Sequence, residues 1–378
     1  MKRFLLVMCL ISCSFNAIAH KPSDSYIALK TEDGLVRGQW DIALRDLDYA
    51  MGLDMNDNGE ITWGELRERQ DAVYAYALSR LSIVENGRNC QIKPEDMLVD
   101  DHSDGHYAVL KFQALCTEAP EKLSITYRLF FDLDTQHRGL LRLVHHEITE
   151  TAIFSPEHKN YVRPLQSVHK PWRELLNFGY EGVWHIWIGY DHILFLLSLL
   201  LPAALMREGH VWQAKPGVAK AFWDVLAVVT AFTLAHSITL SLAALGYIAL
   251  PTRWVESAIA ASVALAALNN IFPIFVHRRT WFAFGFGLIH GMGIASVLLD
   301  MGLPDAQRLW SLLGFNLGVE VGQLAIVSLT FPFIILLSRY RYYPALVMKA
   351  GSTCIVIVAL NWLAERSLNF QMNIFLGD

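Results

Sequence analysis

Two groups of residues in this chain have the types and spacing to do chemistry. The first is the run Asp54-Met55-Asn56-Asp57-Asn58-Gly59-Glu60-Ile61-Thr62-Trp63-Gly64-Glu65, which satisfies D-x-[DN]-x-[DN]-G-x5-E in full. Asp54, Asn56 and Asn58 offer side-chain oxygens and Gly59 permits a sharp turn. Glu60 presents its backbone carbonyl, Thr62 holds the water-bridged position, and Glu65 can bind bidentately. This is the donor set of a calcium loop, and with only Asp54 and Glu65 charged it suits a structural site better than a sensor. The second group lies inside long apolar runs: His185, Asp191 and His192 as H-x5-D-H, then His236, Glu256, His290 and Glu320. Ionisable groups at membrane depth are costly, so each marks a functional position. Imidazoles combined with carboxylates suit divalent transition metals such as nickel, cobalt, zinc or iron.

The elements that must carry these residues can be read from composition. The chain has 378 residues, 53% hydrophobic and 18% charged, with a net charge of −5 and a mean hydropathy of +0.31. That is too apolar for a purely soluble protein, and a near-neutral charge leaves no basic footprint for nucleic acid. Residues 20–154 read as a small soluble head, and 155–182, with Pro156, Pro164 and Pro171, as a linker. From 183 to 378 apolar runs recur at bilayer length. Six spans are expected, at about 183–203, 222–247, 255–276, 281–301, 310–338 and 345–364. The fold class expected is an α-helical polytopic membrane protein with a small extracytoplasmic α+β, β-rich head.

Residues 1–19 read as a signal peptide: Lys2 and Arg3, an apolar stretch to Phe15, then Ala17-Ile18-Ala19 as a cleavage site. Leu10-Ile11-Ser12-Cys13 is a competing lipobox. Export puts the head outside, so the loops after spans one, three and five should face the cytoplasm. Those loops hold Arg207, Lys215, Lys220, Arg278, Arg279, Arg339, Arg341 and Lys349, against Arg253, Arg308 and Arg366 on the other side. The bias obeys the positive-inside rule and predicts a bacterial inner-membrane protein with head and C-terminus in the periplasm. Cys90 and Cys116 are the only pair in the head, and an oxidising compartment favours a disulfide between them.

Within the head, a helix near 41–51 and a long helix over Gly64–Ile83 should flank the calcium loop. Strands are expected at Tyr107–Ala114, Leu123–Asp132 and Leu140–Ile148. Within the membrane, Asn316, Glu320 and Gln323 share one helical stripe, and His185 and His192, seven apart, share a face. Asn269, Asn270, Asn316 and Gln323 read as hydrogen-bond glue between helices. On depth, His185, Asp191, His192 and Glu256 fall in the outer half, with His236, His290 and Glu320 nearer the middle.

At these residues the chain resembles the HupE/UreJ family, in particular its long members with an exported head. The resemblance rests on His20-Lys21-Pro22-Ser23-Asp24, the EF-hand-like run, His185-x5-Asp191-His192, Phe232-x3-His236-Ser237 and Phe286-x3-His290-Gly291. The H-x5-D-H run is also similar to the H-x4-D-H run of nickel/cobalt permeases. The short hydrogenase-linked members lack the calcium-type head and carry proline after the first motif histidine, where this chain has Ile186. The resemblance implies a membrane protein linked to hydrogenase or urease maturation, with nickel or cobalt permease activity and metalloenzyme-maturation partners. Two other classes fit the residues. One is an intramembrane metal-dependent hydrolase in which three histidines, an aspartate and Ser237 hold zinc and activate water. The other is a noncatalytic accessory scaffold. Neither H-E-x-x-H nor G-x-S-x-G occurs to support the hydrolase.

Overall fold

The computed structural model describes residues 24–32, 35–102, 105–116, 122–145, 148–164, 171–208, 211–215, 217–275, 278–293, 295 and 305–368. The expected signal peptide, Cys13 and His20 lie outside them. Two compact units result, one from the described residues of His20–Glu174 and Val297–Arg308, the other from those of Leu175–Ser296 and Leu309–Asp378.

The first unit is α+β. Strands β1 (Asp24–Glu32) and β2 (Leu35–Ala43) lead into helices α1 (Leu44–Met51), α2 (Trp63–Glu68) and α3 (Gln70–Leu78). Strands β3 (Leu81–Glu85), β4 (Arg88–Asn89), β5 (Gln91–His102), β6 (Gly105–Leu115), β7 (Lys122–Tyr127), β8 (Arg138–His145), β9 (Ile148–Phe154) and β10 (Asn160–Pro164) follow. They form a six-stranded sheet, β5-β6-β2-β1-β8-β9, and a four-stranded one, β10-β7-β3-β4. The pairing is antiparallel except between β1 and β8. Trp40, Phe112 and Leu141 of the large sheet meet Ile83, Ile125 and Tyr127 of the small one in a single apolar cluster. Leu47, Leu66 and Val73 of the three helices join it, so the elements that flank the exposed 54–65 loop are anchored in the core.

Three expectations need correction here. No long helix runs over Gly64–Ile83: it breaks at Arg69 and ends at Leu78, and Ile83 pairs with Ile125 in a strand. The Leu81–Glu85 segment buries alternate residues, a period-2 pattern that favours sheet over helix. The strand expected to reach Asp132 stops at Tyr127, because the chain turns through Phe130 with φ +57. Residues 160–164, expected within the linker, form the edge strand β10 paired with β7. The disulfide is present: Gln91 pairs with Leu115, which sets Cys90 against Cys116, and the two sulfurs are bonded.

The second unit is helical. Helices α4 (Pro171–Ile188) and α5 (Tyr190–Leu200) are followed by the hairpin β11 (Leu205–Glu208) and β12 (Val211–Ala214). Then come α6 (Val218–Ala244), α7 (Thr252–Ile271), α8 (Arg279–His290), α9 (Asp305–Ser338) and, after a wide turn at Pro344–Lys349, α10 (Ala350–Leu368). Among the described residues four helices are long and apolar enough to cross a membrane, and a fifth span results if the α4–α5 pair counts as one. The fourth of the six expected spans is represented by α8, whose 12 residues are too short to cross; most of the remainder of 281–301 lies outside the described residues.

Burial in this unit is inverted relative to the head. Leu329, Phe333 and Leu336 are about 60% exposed (61%, 62% and 58%), while His236, Ser262, Ser311 and Ser352 are almost wholly enclosed. An apolar surface of that extent is unstable in water and natural in lipid. Several of the interior polar groups find one another, away from competing water. Asn270 donates to the Ser198 carbonyl and to Ser352 Oγ, Thr233 to Gln323 and Ser237 to Asn316. Asn269 accepts from the backbone N–H groups of Ile274 and Phe275 and closes the end of α7. Backbones approach closely where glycines allow it: a Cβ on Gly318 would collide with the Gly179 carbonyl, and one on Gly291 with the His236 carbonyl.

Candidate metal centre

The bend between α4 and α5 creates the centre. In a straight helix, residues seven apart would be separated by about 10 Å of axial rise. Here the axis turns by 69° at Gly189, and the His185 and His192 ring centres are 4.7 Å apart. Gly189 is required, because a Cβ there would lie 2.8 Å from both the His185 carbonyl oxygen and His192 Nδ1. Asp191 falls in the first turn of α5, where its carboxylate accepts from the His192 backbone N–H at 2.8 Å. A negative charge is favoured at that helix end.

Helices α6 and α8 bring in the other two histidines. The ring of His192 lies 5.2 Å from that of His290 and 6.3 Å from that of His236, centre to centre. Phe195 and Phe232 pack against His290 at 5.1 and 5.3 Å and fix its plane. His185, Asp191, His192, His236 and His290 thus form one cluster.

Hydrogen bonds assign the open nitrogens. His192 Nδ1–H donates to Asp191 Oδ1 at 2.9 Å, which leaves Nε2 with its lone pair. The Ser262 hydroxyl lies 2.6 Å from the Ile259 carbonyl and donates its single proton there, so it accepts from His290 Nε2–H at 2.8 Å and leaves Nδ1 open. His192 Nε2, His290 Nδ1 and both nitrogens of His236 are buried and have no hydrogen-bond partner among the described residues. Buried polar atoms are rarely left so, and each costs about 1–3 kcal/mol unless something external binds it. A carboxylate–imidazole pair with the far nitrogen open is the arrangement that orients a metal-ligating histidine. Two imidazoles sharing a metal at about 2.1 Å have ring centres roughly 5 Å apart, close to the separations seen. Among the described residues no three ligand atoms of this cluster yet lie within 4.8 Å of one another, so capture requires ring rotation. The one trio that does, Glu85 with Cys90 and Cys116, has both sulfurs committed to the disulfide.

Two expected ligands stand apart. Glu320 lies on the α9 stripe whose neighbours Asn316 and Gln323 bond to α6, and among the described residues no hydrogen bond or ion pair joins it to the cluster. Glu256 meets the cluster indirectly: its backbone carbonyl accepts from Arg366, whose other terminal nitrogen lies 3.8 Å from Asp191. Ser237 lies one residue beyond His236, and its Oγ is 2.8 Å from both the Thr233 carbonyl and Asn316 Oδ1. Its proton is therefore committed away from the histidines. Ser262, Arg366 and Gly189 were not singled out by sequence. From sequence Arg366 reads as a tail charge, and the glycine within H-x5-D-H is the available signal for the bend.

A family model described as HupE / UreJ protein matches residues 162–366, more than half of the chain and all of the cluster. The chain belongs to the HupE/UreJ family. The matched span begins at β10 and leaves most of the head outside. The family is associated with nickel or cobalt uptake and with urease or hydrogenase accessory roles. No curated protein sequence matches the chain.

In the head, the Asp54–Glu65 loop is folded around its own oxygens. Asp54 accepts from the backbone N–H groups of Asn56, Asn58 and Gly59, and Asn58 Oδ1 from that of Glu60. Gly59 takes φ +82, as the sharp turn requires. Glu65 accepts from Met55, Asn56 Nδ2 and both the N–H and hydroxyl of Thr62, closing a capping box on α2. The Gly59 N–H holds the Asp54 carboxyl below its usual range, and the Thr62 donors do the same for Glu65.

Proposed function

We propose that this protein is an integral-membrane permease for a divalent transition metal, nickel or cobalt by family and zinc by ligand chemistry. The observation that carries the proposal is the set of buried, unpartnered nitrogens of His192, His236 and His290 around the α4–α5 break. His192, His236 and His290 hold the ion, Asp191 orients His192 and offsets the cation's charge, and His185 stands beside His192 as the next ligand. Discontinuous helices near the bilayer midplane are where many transporters place their ion sites. Glu320 and Glu256 serve as entry or exit groups. The membrane half has six spans, in a bacterial inner membrane. The basic loops face the cytoplasm, and the head and C-terminus face the periplasm. The head carries a structural calcium ion on Asp54, Asn56, Asn58, Glu60, Thr62 and Glu65.

The test is uptake into proteoliposomes. Entrapped chelator dye should report nickel, cobalt or zinc entry with the wild-type protein and none with His192→Ala. Metal bound without entry would support a sensor or accessory scaffold. Bound zinc with turnover of an ester or peptide substrate would support the hydrolase.

A further inference from the structure

A second site lies at the other end of the helical unit's chemistry. Where the β11–β12 hairpin meets the starts of α6 and α8, a cavity of about 510 Å³ opens. Its rim carries Arg207, Lys215, Lys220 and Arg279 with one acid, Asp224, a net formal charge of 4 − 1 = +3. Its floor is apolar, with Leu199, Val225 and Val228 among the lining residues. The two arginines are held in place by backbone: Arg279 donates to the Pro202 carbonyl at 3.1 Å and Arg207 to that of Pro273 at 3.2 Å. The Arg279 guanidinium has five N–H donors, so this bond fixes the fork without exhausting it. Lys215 is bonded to Asp224, and Lys220 is exposed and pairs with no described residue.

The surroundings set the depth of this cavity. Trp223 adjoins Asp224 and Trp281 adjoins Thr280, both rim residues, and the two indoles are 64% and 75% exposed. Exposed tryptophans at the ends of apolar helices lie at the headgroup level of a bilayer. A cationic rim over an apolar floor, at that level and between helices, is matched by an anionic phospholipid. Its phosphate would meet the cations, and its acyl chain the leucine and valine surface. A free anion would leave the apolar floor uncovered.

We infer that this cavity is a binding site for an anionic phospholipid. The geometry assigns Arg207 and Arg279 to the phosphate and Lys220 to long-range attraction. The test uses full-length protein, delipidated in neutral detergent, with melting temperature and native mass spectrometry as readouts. Phosphatidylglycerol should stay bound and raise the melting temperature, whereas phosphatidylcholine should do neither. Lys220→Gln should weaken phosphatidylglycerol binding about fivefold and Lys220→Glu about thirtyfold, as expected for one and two charge increments near a membrane surface. Both variants should melt like the wild type without lipid, since Lys220 is exposed and its side chain forms no hydrogen bond or ion pair among the described residues. Equal binding of the two lipids, or wild-type affinity in Lys220→Glu, would overturn the assignment. Equal protection by inorganic phosphate would also overturn it in favour of a soluble-anion site.

Discussion

The head loop and the membrane cluster both gather metal-type ligands, yet they treat their unbound atoms in opposite ways. In the loop, Asp54 and Glu65 are saturated by backbone and side-chain donors, and water reaches what remains. In the cluster, the open nitrogens of His192, His236 and His290 are enclosed with no hydrogen-bond partner among the described residues. The difference teaches that the carboxylates of a water-exposed loop can be satisfied by the loop's own donors. A buried imidazole cluster keeps a standing cost that only an external ligand removes. Transition-metal binding should therefore be the stronger coupling, and calcium the weaker one.

The largest effects should come from breaking the cluster. His192→Ala and His290→Ala are each expected to take a transition metal loaded near one per chain down to none, read by elemental analysis. Asp191→Asn keeps the size of the side chain but removes its charge and its grip on His192, so metal affinity should fall about 10–100-fold by titration. Equal affinity in Asp191→Asn would mean that the carboxylate does not orient the ligand.

The next effects sharpen the contrast by touching the head alone. The Cys90–Cys116 bond closes a loop with a sequence separation of 26. Replacing both residues with serine should cost about 3 kcal/mol in denaturant unfolding followed from the head. It should leave metal loading of the cluster unchanged. Thr62→Ala removes half of the capping box and should cost about 1 kcal/mol.

The smallest effects concern calcium and pH. Calcium should raise the melting temperature of the full chain, and Glu65→Gln should abolish that rise. In the folded state the carboxyls of Asp54 and Glu65 sit below their ordinary values of 3.8 and 4.5. Their contribution to stability is present above those ordinary values and is lost as pH falls through the lowered ones. Acid melting curves should show that loss in the wild type and a shallower one in Glu65→Gln.

Much of this molecule was legible in the sequence because its signals are local. The spacing of Asp54, Gly59 and Glu65 is complete within one loop, and Cys90 and Cys116 had no other partner in the head. The bilayer-length runs follow from composition alone. What stayed hidden was set by tertiary pairing. Ile83 went to a strand because Ile125 was there to receive it. His185 and His192 met through a bend at Gly189, not along one helix face. Ser262, 28 residues from His290, and Arg366, far along the chain from Asp191, carry no motif that links them. Glu320 is expected among the ligands as an ionisable group at membrane depth, but its stripe is engaged with α6 through its neighbours.

The central claim is a transition metal held by intramembrane histidines, and X-ray absorption of the purified, nickel- or zinc-loaded full-length protein tests it most directly. The account predicts about one metal per chain, nitrogen and oxygen neighbours at about 2.0–2.1 Å, and outer-shell scattering from at least two imidazoles, all lost in His192→Ala. Absence of bound transition metal after loading, or a spectrum with no imidazole scattering that His192→Ala leaves unchanged, would contradict it.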